Sequence, residues 1–184
     1  MRPLTRVTLL DNTQRPKAPK IDGLTPRQLA QGRRLSLYHN MHRRQMDDVR
    51  SAIDQLDAPS LREKIASLHM AENFRQFGNL CGAECAMLNF HHNAEEAQMF
   101  PMLHEAGSAG LRQVVARLKA EHVVVHELIK ELHAAAEMLL EAPSPENFAI
   151  AKSAFTDLET CVRSHFGYEE TELAEALGVI DVGI

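Results

Sequence analysis

The apolar positions of this chain recur three or four residues apart, the spacing of a helix face, and no stretch alternates with the two-residue period of a strand. Thr25-Pro26-Arg27-Gln28 reads as a helix start: a hydroxyl cap, a proline in the first turn and a Gln three residues after the cap. From there the spacing predicts helix to about Asp57, with Leu35, His39, His42, Met46, Val49 and Ile53 on one side. Ala58-Pro59 breaks the pattern, and Ser60-Leu61-Arg62-Glu63 forms a second capping box. A second long helix is expected from about His69 to His104, carrying Phe74, Phe77, Cys81, Leu88 and Met99 on one stripe. Pro101 should kink or end it. Gly107-Ser108-Ala109-Gly110 predicts a turn. A third helix, about Leu111 to Glu141, aligns Val115, Leu118, His122, His126, Ile129, His133 and Leu140. After the turn Pro143-Ser144-Pro145-Glu146, a fourth runs to about Leu177 with Phe155, Leu158, Val162, His165, Glu169 and Ala176 inward.

Long helices joined by short turns, each with one apolar stripe, predict an all-α, up-down antiparallel four-helix bundle over residues 25–184. Residues 1–24 contain Pro3, Pro16, Pro19 and Gly23 with no sustained period, and predict an extended N-terminal arm. At 184 residues and 45% hydrophobic composition, the chain suits one core. A net charge of −5 argues against nucleic acid or an anionic membrane as partner. Neither a secretion signal nor a run long enough to cross a bilayer is visible, so a cytoplasmic location is expected. Cys81, Cys85 and Cys161 are an odd set without a CxxC, which indicates neither a disulfide framework nor a zinc ribbon.

The ten histidines change the picture. A polar group on the core face of a bundle is costly unless it is hydrogen-bonded or coordinated. Here all four expected helices carry such groups: His39; His91, His92, Glu95 and Glu96; His122 and His126; His165 and Glu169. On the fourth helix Glu169 shares the stripe of His165, whereas Glu170 is rotated off it. On the second, His91 and His92 flank the stripe centre, so His91 with Glu95 and His92 with Glu96 both remain open from spacing.

Imidazole and carboxylate without thiolate suit iron, with manganese and zinc as competitors. Seven ligands exceed one tetrahedral zinc and match two octahedral ions, for which five imidazoles, two bridging carboxylates and a bridging oxo or hydroxo group fill all but one position. A position left open on a redox-active pair suits dioxygen, nitric oxide or peroxide.

The runs His91-Glu95-Glu96…Phe100-Pro101, Glu121-His122…His126 and His165-Phe166…Glu169-Glu170 together resemble the hemerythrin-like (HHE cation-binding) family over roughly residues 30–177. On the first helix, Tyr38-His39-Asn40-Met41-His42-Arg43 resembles the corresponding segment of bacterial di-iron proteins that repair iron–sulfur centres. The resemblance implies a four-helix bundle that holds two iron ions (Fe2+/Fe3+) through His39, His91, Glu95, His122, His126, His165 and Glu169. It also implies a protein that binds or senses a small diatomic ligand, or an oxidoreductase acting on peroxide or nitric oxide, or an iron store or sensor. A glutamate four residues after His165, where the oxygen carriers place an aspartate at five, points away from simple oxygen transport.

Among the remaining candidates, His42 is expected at the rim of the site, His133 at the core edge, and His69 and His104 in solvent. Cys81, Cys85 and Cys161 are expected to pack as small apolar residues. Tyr38 and Tyr168 each precede a ligand candidate and are candidates to hydrogen-bond a ligand or to pack at the bundle rim; Glu96 and Glu170 each follow one and are candidates to orient ligand imidazoles or to be solvated.

Overall fold

The computed structural model describes residues 4–55 and 83–180. Among these residues the chain is helical and contains no strand. The elements are α1 (Arg6–Leu9), a 3-10 turn (Asn12–Gln14), α2 (Pro26–Gly32), α3 (Leu35–Asp54), α4 (Ala83–Ala94), a π-turn (Glu95–Met99), α5 (Phe100–Ala106), α6 (Ala109–Glu141) and α7 (Pro145–Val179). The second capping box, His69, Phe74, Phe77 and Cys81 lie outside the described residues.

Local chemistry accounts for the element ends. The Thr25 hydroxyl accepts from the Gln28 backbone N–H while the Gln28 side chain returns to the Thr25 backbone, closing the expected capping box. Ser108 and Ser144 do the same work for the two longest helices, accepting from the backbone N–H of Leu111 and Asn147. The expected turn at residues 107–110 is therefore shorter, because Ala109 and Gly110 already belong to α6. The single helix expected from residue 25 to about 57 is interrupted at Arg33 and Arg34, which separate α2 from α3.

Pro101 neither ends nor breaks its helix. The Phe100 N–H bonds to the Glu95 carbonyl, five residues back, so one widened turn precedes the proline. The ring then sits in the first turn of α5, where a missing N–H leaves no helical bond unmade.

The segment expected as an extended arm holds two short helical pieces and is tied down along its length. Leu9 is buried. The Arg117 guanidinium donates to the Thr8 carbonyl, and Glu172 accepts from Lys17 and from the Ala18 backbone. Glu175 accepts from Lys20 and the Ile21 backbone.

The chain divides into two compact units. The first comprises Met1–Met41, His91–Val124 and Cys161–Ile184. Its core is built from Leu35, Met99, Phe100, Leu103, Leu111, Val114, Val115, Leu118, Leu173 and Leu177. Two glycines allow α2 and α7 to touch backbone to backbone. A Cβ on Gly32 would fall 1.9 Å from the Ala174 carbonyl oxygen, and one on Gly178 would fall 2.5 Å from that of Gln28.

The second unit comprises His42–Phe90 and Val125–Thr160. It buries Ile53, Leu88, Leu128, Leu132, Leu139, Phe155 and Leu158. Arg50 lies over the Phe155 ring and pairs with Glu159, and Lys152 pairs with Asp54.

Candidate metal centre

Every residue of the site belongs to the first unit. Helical spacing puts His165 and Glu169 on one face of α7, and a single turn of α3 supplies His39. From α6 come Glu121 and His122. The end of α4 and the π-turn supply His91, His92, Glu95 and Glu96. His39, His92, Glu121, His122, His165 and Glu169 are all 0% exposed, a degree of burial that ionisable groups reach only when paired or coordinated.

These side chains form two groups, in each of which the ligand atoms lie within 4.8 Å of one another. One is His39, His91, Glu95 and Glu169; the other is His92, His122 and His165. In the first, His39 Nε2 is 3.1 Å from His91 Nε2 and 3.5 Å from Glu169 Oε2, and His91 Nε2 is 3.0 Å from Glu95 Oε1. The two carboxylates also face the second group. Glu95 Oε2 is 3.5 Å from His122 Nε2, and Glu169 Oε2 is 3.6 Å from His165 Nε2. Glu95 and Glu169 therefore stand between the two sets of imidazoles.

The outward nitrogens show what the inward ones are for. His39 Nδ1 donates to Glu170 at 2.8 Å, His122 Nδ1 to Glu96 at 2.9 Å, and His165 Nδ1 to Glu121 at 3.1 Å. A proton held on Nδ1 leaves the lone pair on Nε2: that of His39 accepts from His91 Nε2 at 3.1 Å, and those of His122 and His165 face Glu95 and Glu169 at 3.5 and 3.6 Å. Both oxygens of Glu95, both oxygens of Glu169 and His165 Nε2 are buried with no hydrogen-bond partner. Neutral acceptors and anions facing each other in an apolar interior repel, and a cation among them removes the repulsion.

The protonation equilibria reflect the same crowding. Burial, and then the charges of Glu121 and Glu170, push the Glu169 carboxyl up from 4.5 to about 8. Burial, followed by Glu169 and Glu96, raises Glu95 well above the carboxylate range. Glu121 behaves in the opposite way. Burial pushes it up, but hydrogen bonds from His165, Arg15 and Arg117 outweigh burial and hold it below its ordinary value.

Of the seven residues expected as ligands, the structure brings six into these groups: His39, His91, Glu95, His122, His165 and Glu169. His126 is half-buried and belongs to neither group, while His92 takes a place beside His122 and His165. His92 and His122 stack with ring centroids 4.0 Å apart. Spacing presented His91 and His92 as alternatives, but both enter, because adjacent residues about 100° apart on a helix can serve two adjacent groups. Two adjacent histidines followed by two adjacent glutamates were the available signal for a double group.

Glu96 and Glu170, open between orienting a ligand and solvation, both accept from ligand-candidate imidazoles. Tyr168 does not reach one; its hydroxyl donates to the Pro16 carbonyl at 2.8 Å, and Tyr38 is largely exposed. His42 is buried, which lowers its pKa against a hydrogen bond with Gln45, and His104 is exposed. Cys161 is a buried free thiol, and Cys85 is buried and disulfide-bonded, which the odd cysteine count did not indicate. Arg15, Arg117 and Glu121 went unread as parts of the site. An arginine in a proline-containing segment carries no spacing signal that ties it to a helix 106 residues away.

Two buried histidine groups with carboxylates between them form a donor set that could hold metal ions. Residues 33–177 match the family model described as Hemerythrin HHE cation binding domain, and the chain belongs to that family. No curated protein and no solved structure matches the chain.

Proposed function

We propose that the protein is a non-haem di-iron protein that binds or senses dioxygen, with nitric oxide or peroxide as the related small ligands. The observation that carries this reading is the pair of carboxylates, Glu95 and Glu169, buried without hydrogen-bond partners between two sets of imidazoles. In this reading His39, His91, Glu95 and Glu169 would hold one ion and His92, His122 and His165 the other, with the two carboxylates supplying negative charge between them. Nitrogen and oxygen donors without thiolate favour iron over softer metals. When bound, iron supplies reversible one-electron chemistry toward dioxygen.

The protein's own residues supply the rest. Glu170, Glu96 and Glu121 keep protons on the outward nitrogens of three histidines, so each ring presents its inward lone pair. Phe166, stacked on His39 at 3.9 Å, and Phe100, 5.3 Å from His122, flank the rings with apolar surface that excludes water. An up-down four-helix arrangement with residues 1–24 lying along it as an arm is the topology that goes with this reading.

The test is metal analysis of the purified protein, with visible absorption recorded before and after exposure to air. Two irons per chain and an absorption band that appears with air and disappears on deoxygenation are expected. Zinc or no stoichiometric metal after growth in iron-replete medium would overturn the reading. Consumption of hydrogen peroxide or nitric oxide above that by free iron would favour an oxidoreductase.

A further inference from the structure

We propose that Arg15, from the segment that precedes the family-matched region, is a positioning residue of the metal centre that acts through Glu121 on His165. The inference rests on the di-iron reading above and concerns residues that reading does not use.

Arg15 is 5% exposed, and each of its donors is engaged. Nε and Nη2 reach the two oxygens of Glu121, each at 2.9 Å, in a two-point fork. Nη1 donates to Asn12 Oδ1 at 2.7 Å and to the Ser164 hydroxyl at 3.0 Å. The guanidinium carbon lies 4.6 Å from the centre of the Tyr168 ring. Glu121 is 0% exposed and receives, besides the fork, Arg117 Nε at 2.7 Å and His165 Nδ1 at 3.1 Å.

Surface anchoring does not require this. A segment that only needed to lie down on the helices is already held by Lys17 to Glu172, Lys20 to Glu175 and the backbone of Ala18 and Ile21. Burying a guanidinium against a buried carboxylate takes both charges out of water, a cost that anchoring at the surface does not incur. What the arrangement achieves is specific to Glu121. The other two carboxylates that accept from ligand-candidate imidazoles, Glu170 and Glu96, have side chains 25% and 42% exposed, whereas that of Glu121 is fully buried. The Glu121 charge is divided between two guanidinium groups, those of Arg15 and Arg117.

A carboxylate whose charge is shared in this way draws less on the proton of His165 Nδ1, so Nε2 is a weaker electron donor than it would be against a free carboxylate. The fork also fixes the carboxylate plane, and with it the ring. Loss of Arg15 therefore has two effects. The ring is held less firmly, which weakens metal retention. Glu121 concentrates its charge on the His165 proton, which stabilises the ferric over the ferrous state.

The experiment uses full-length protein loaded anaerobically with ferrous iron: wild type, Arg15→Gln, Arg15→Lys and Tyr168→Phe. Midpoint potential and the rate of iron loss to a ferrous chelator are measured. Arg15→Gln is expected to lose iron about 10-fold to 100-fold more readily. Its potential should fall by about 59 mV per tenfold gain in ferric over ferrous preference for a one-electron step. Arg15→Lys, which keeps the charge and loses the fork, should recover most of the potential and part of the retention. Tyr168→Phe removes the hydroxyl donated to Pro16, loosening the segment without touching Glu121, and should melt lower at wild-type potential. Wild-type potential and retention in Arg15→Gln would overturn the proposal. If Arg15→Gln does not fold, Arg15→Lys decides on retention, and iron loss at the wild-type rate in it is equally fatal. A wild-type protein that takes up no iron would defeat the di-iron reading, and this inference with it; iron-loaded wild type with unchanged Arg15 variants defeats the inference alone.

Discussion

In protein stripped of metal, Glu169→Gln should raise stability, and by an amount that depends on pH. Glu169 is buried, and burial together with Glu121 and Glu170 moves its carboxyl from 4.5 to about 8. Between those values the folded chain holds a proton that the unfolded chain has released, so stability falls as pH rises through the window. The slope is about 1.4 kcal/mol per pH unit. Glu169 therefore has no effect near pH 4, destabilises the folded state by about 3 kcal/mol at pH 7, and by about 5 kcal/mol above pH 8. Glutamine keeps the shape of the neutral acid at every pH. Urea unfolding of chelator-treated wild type and Glu169→Gln, repeated from pH 4 to pH 9, should give curves that coincide at the acid end and separate progressively. The Glu169 charge also helps to raise Glu95, so glutamine relieves both carboxyls and the separation of the curves reports the pair. Iron should reverse the order, because the amide no longer offers a bridging anion. Parallel pH profiles, or a glutamine variant less stable at pH 8.5, would refute the claim that an unneutralised carboxylate is forced into this interior.

Metal loading at pH 7 should release protons, since Glu169 is mostly protonated there without a cation; calorimetric titration in two buffers of different ionisation enthalpy would count them. His92→Ala should lower the iron content from two ions toward one, while His126→Ala should leave it unchanged; elemental analysis showing the reverse would restore His126 to the site. Gly32→Ala should destabilise by about 3 kcal/mol, because the new Cβ meets the rigid Ala174 carbonyl, whereas Gly167→Ala, mid-helix with nothing within 4 Å, should stabilise by about 0.5–1 kcal/mol. Chemical unfolding of the two glycine variants checks both signs.

The spacing of apolar residues determined the helical character seen in the described residues, and the histidines and glutamates on those faces pointed to a cation site. Both follow from a period of 3.6, which is a property of neighbours along the chain and can be read without knowing what the helix faces. Helix starts at Thr25 and near Pro145 were legible for the same reason, since a cap is a bond between residues three apart. The tertiary structure decided everything that depends on phase or on distant partners. The widened turn at Glu95–Met99 carried the helix through Pro101, which single-period reasoning treats as a stop. His91 and His92 both became site residues because two groups, not one stripe, receive them. His126 shares the helical period of His122 and lies outside both groups, since period alone does not say how far along the helix the site extends. Glu121 was visible as the neighbour of His122 but acquired a role only when Arg15 and His165 converged on it. Hydrogen bonds between residues more than a hundred positions apart leave no periodic trace. For the same reason the segment before residue 25, unreadable as a pattern, proves to be tied through Arg15 to Glu121, which accepts from His165.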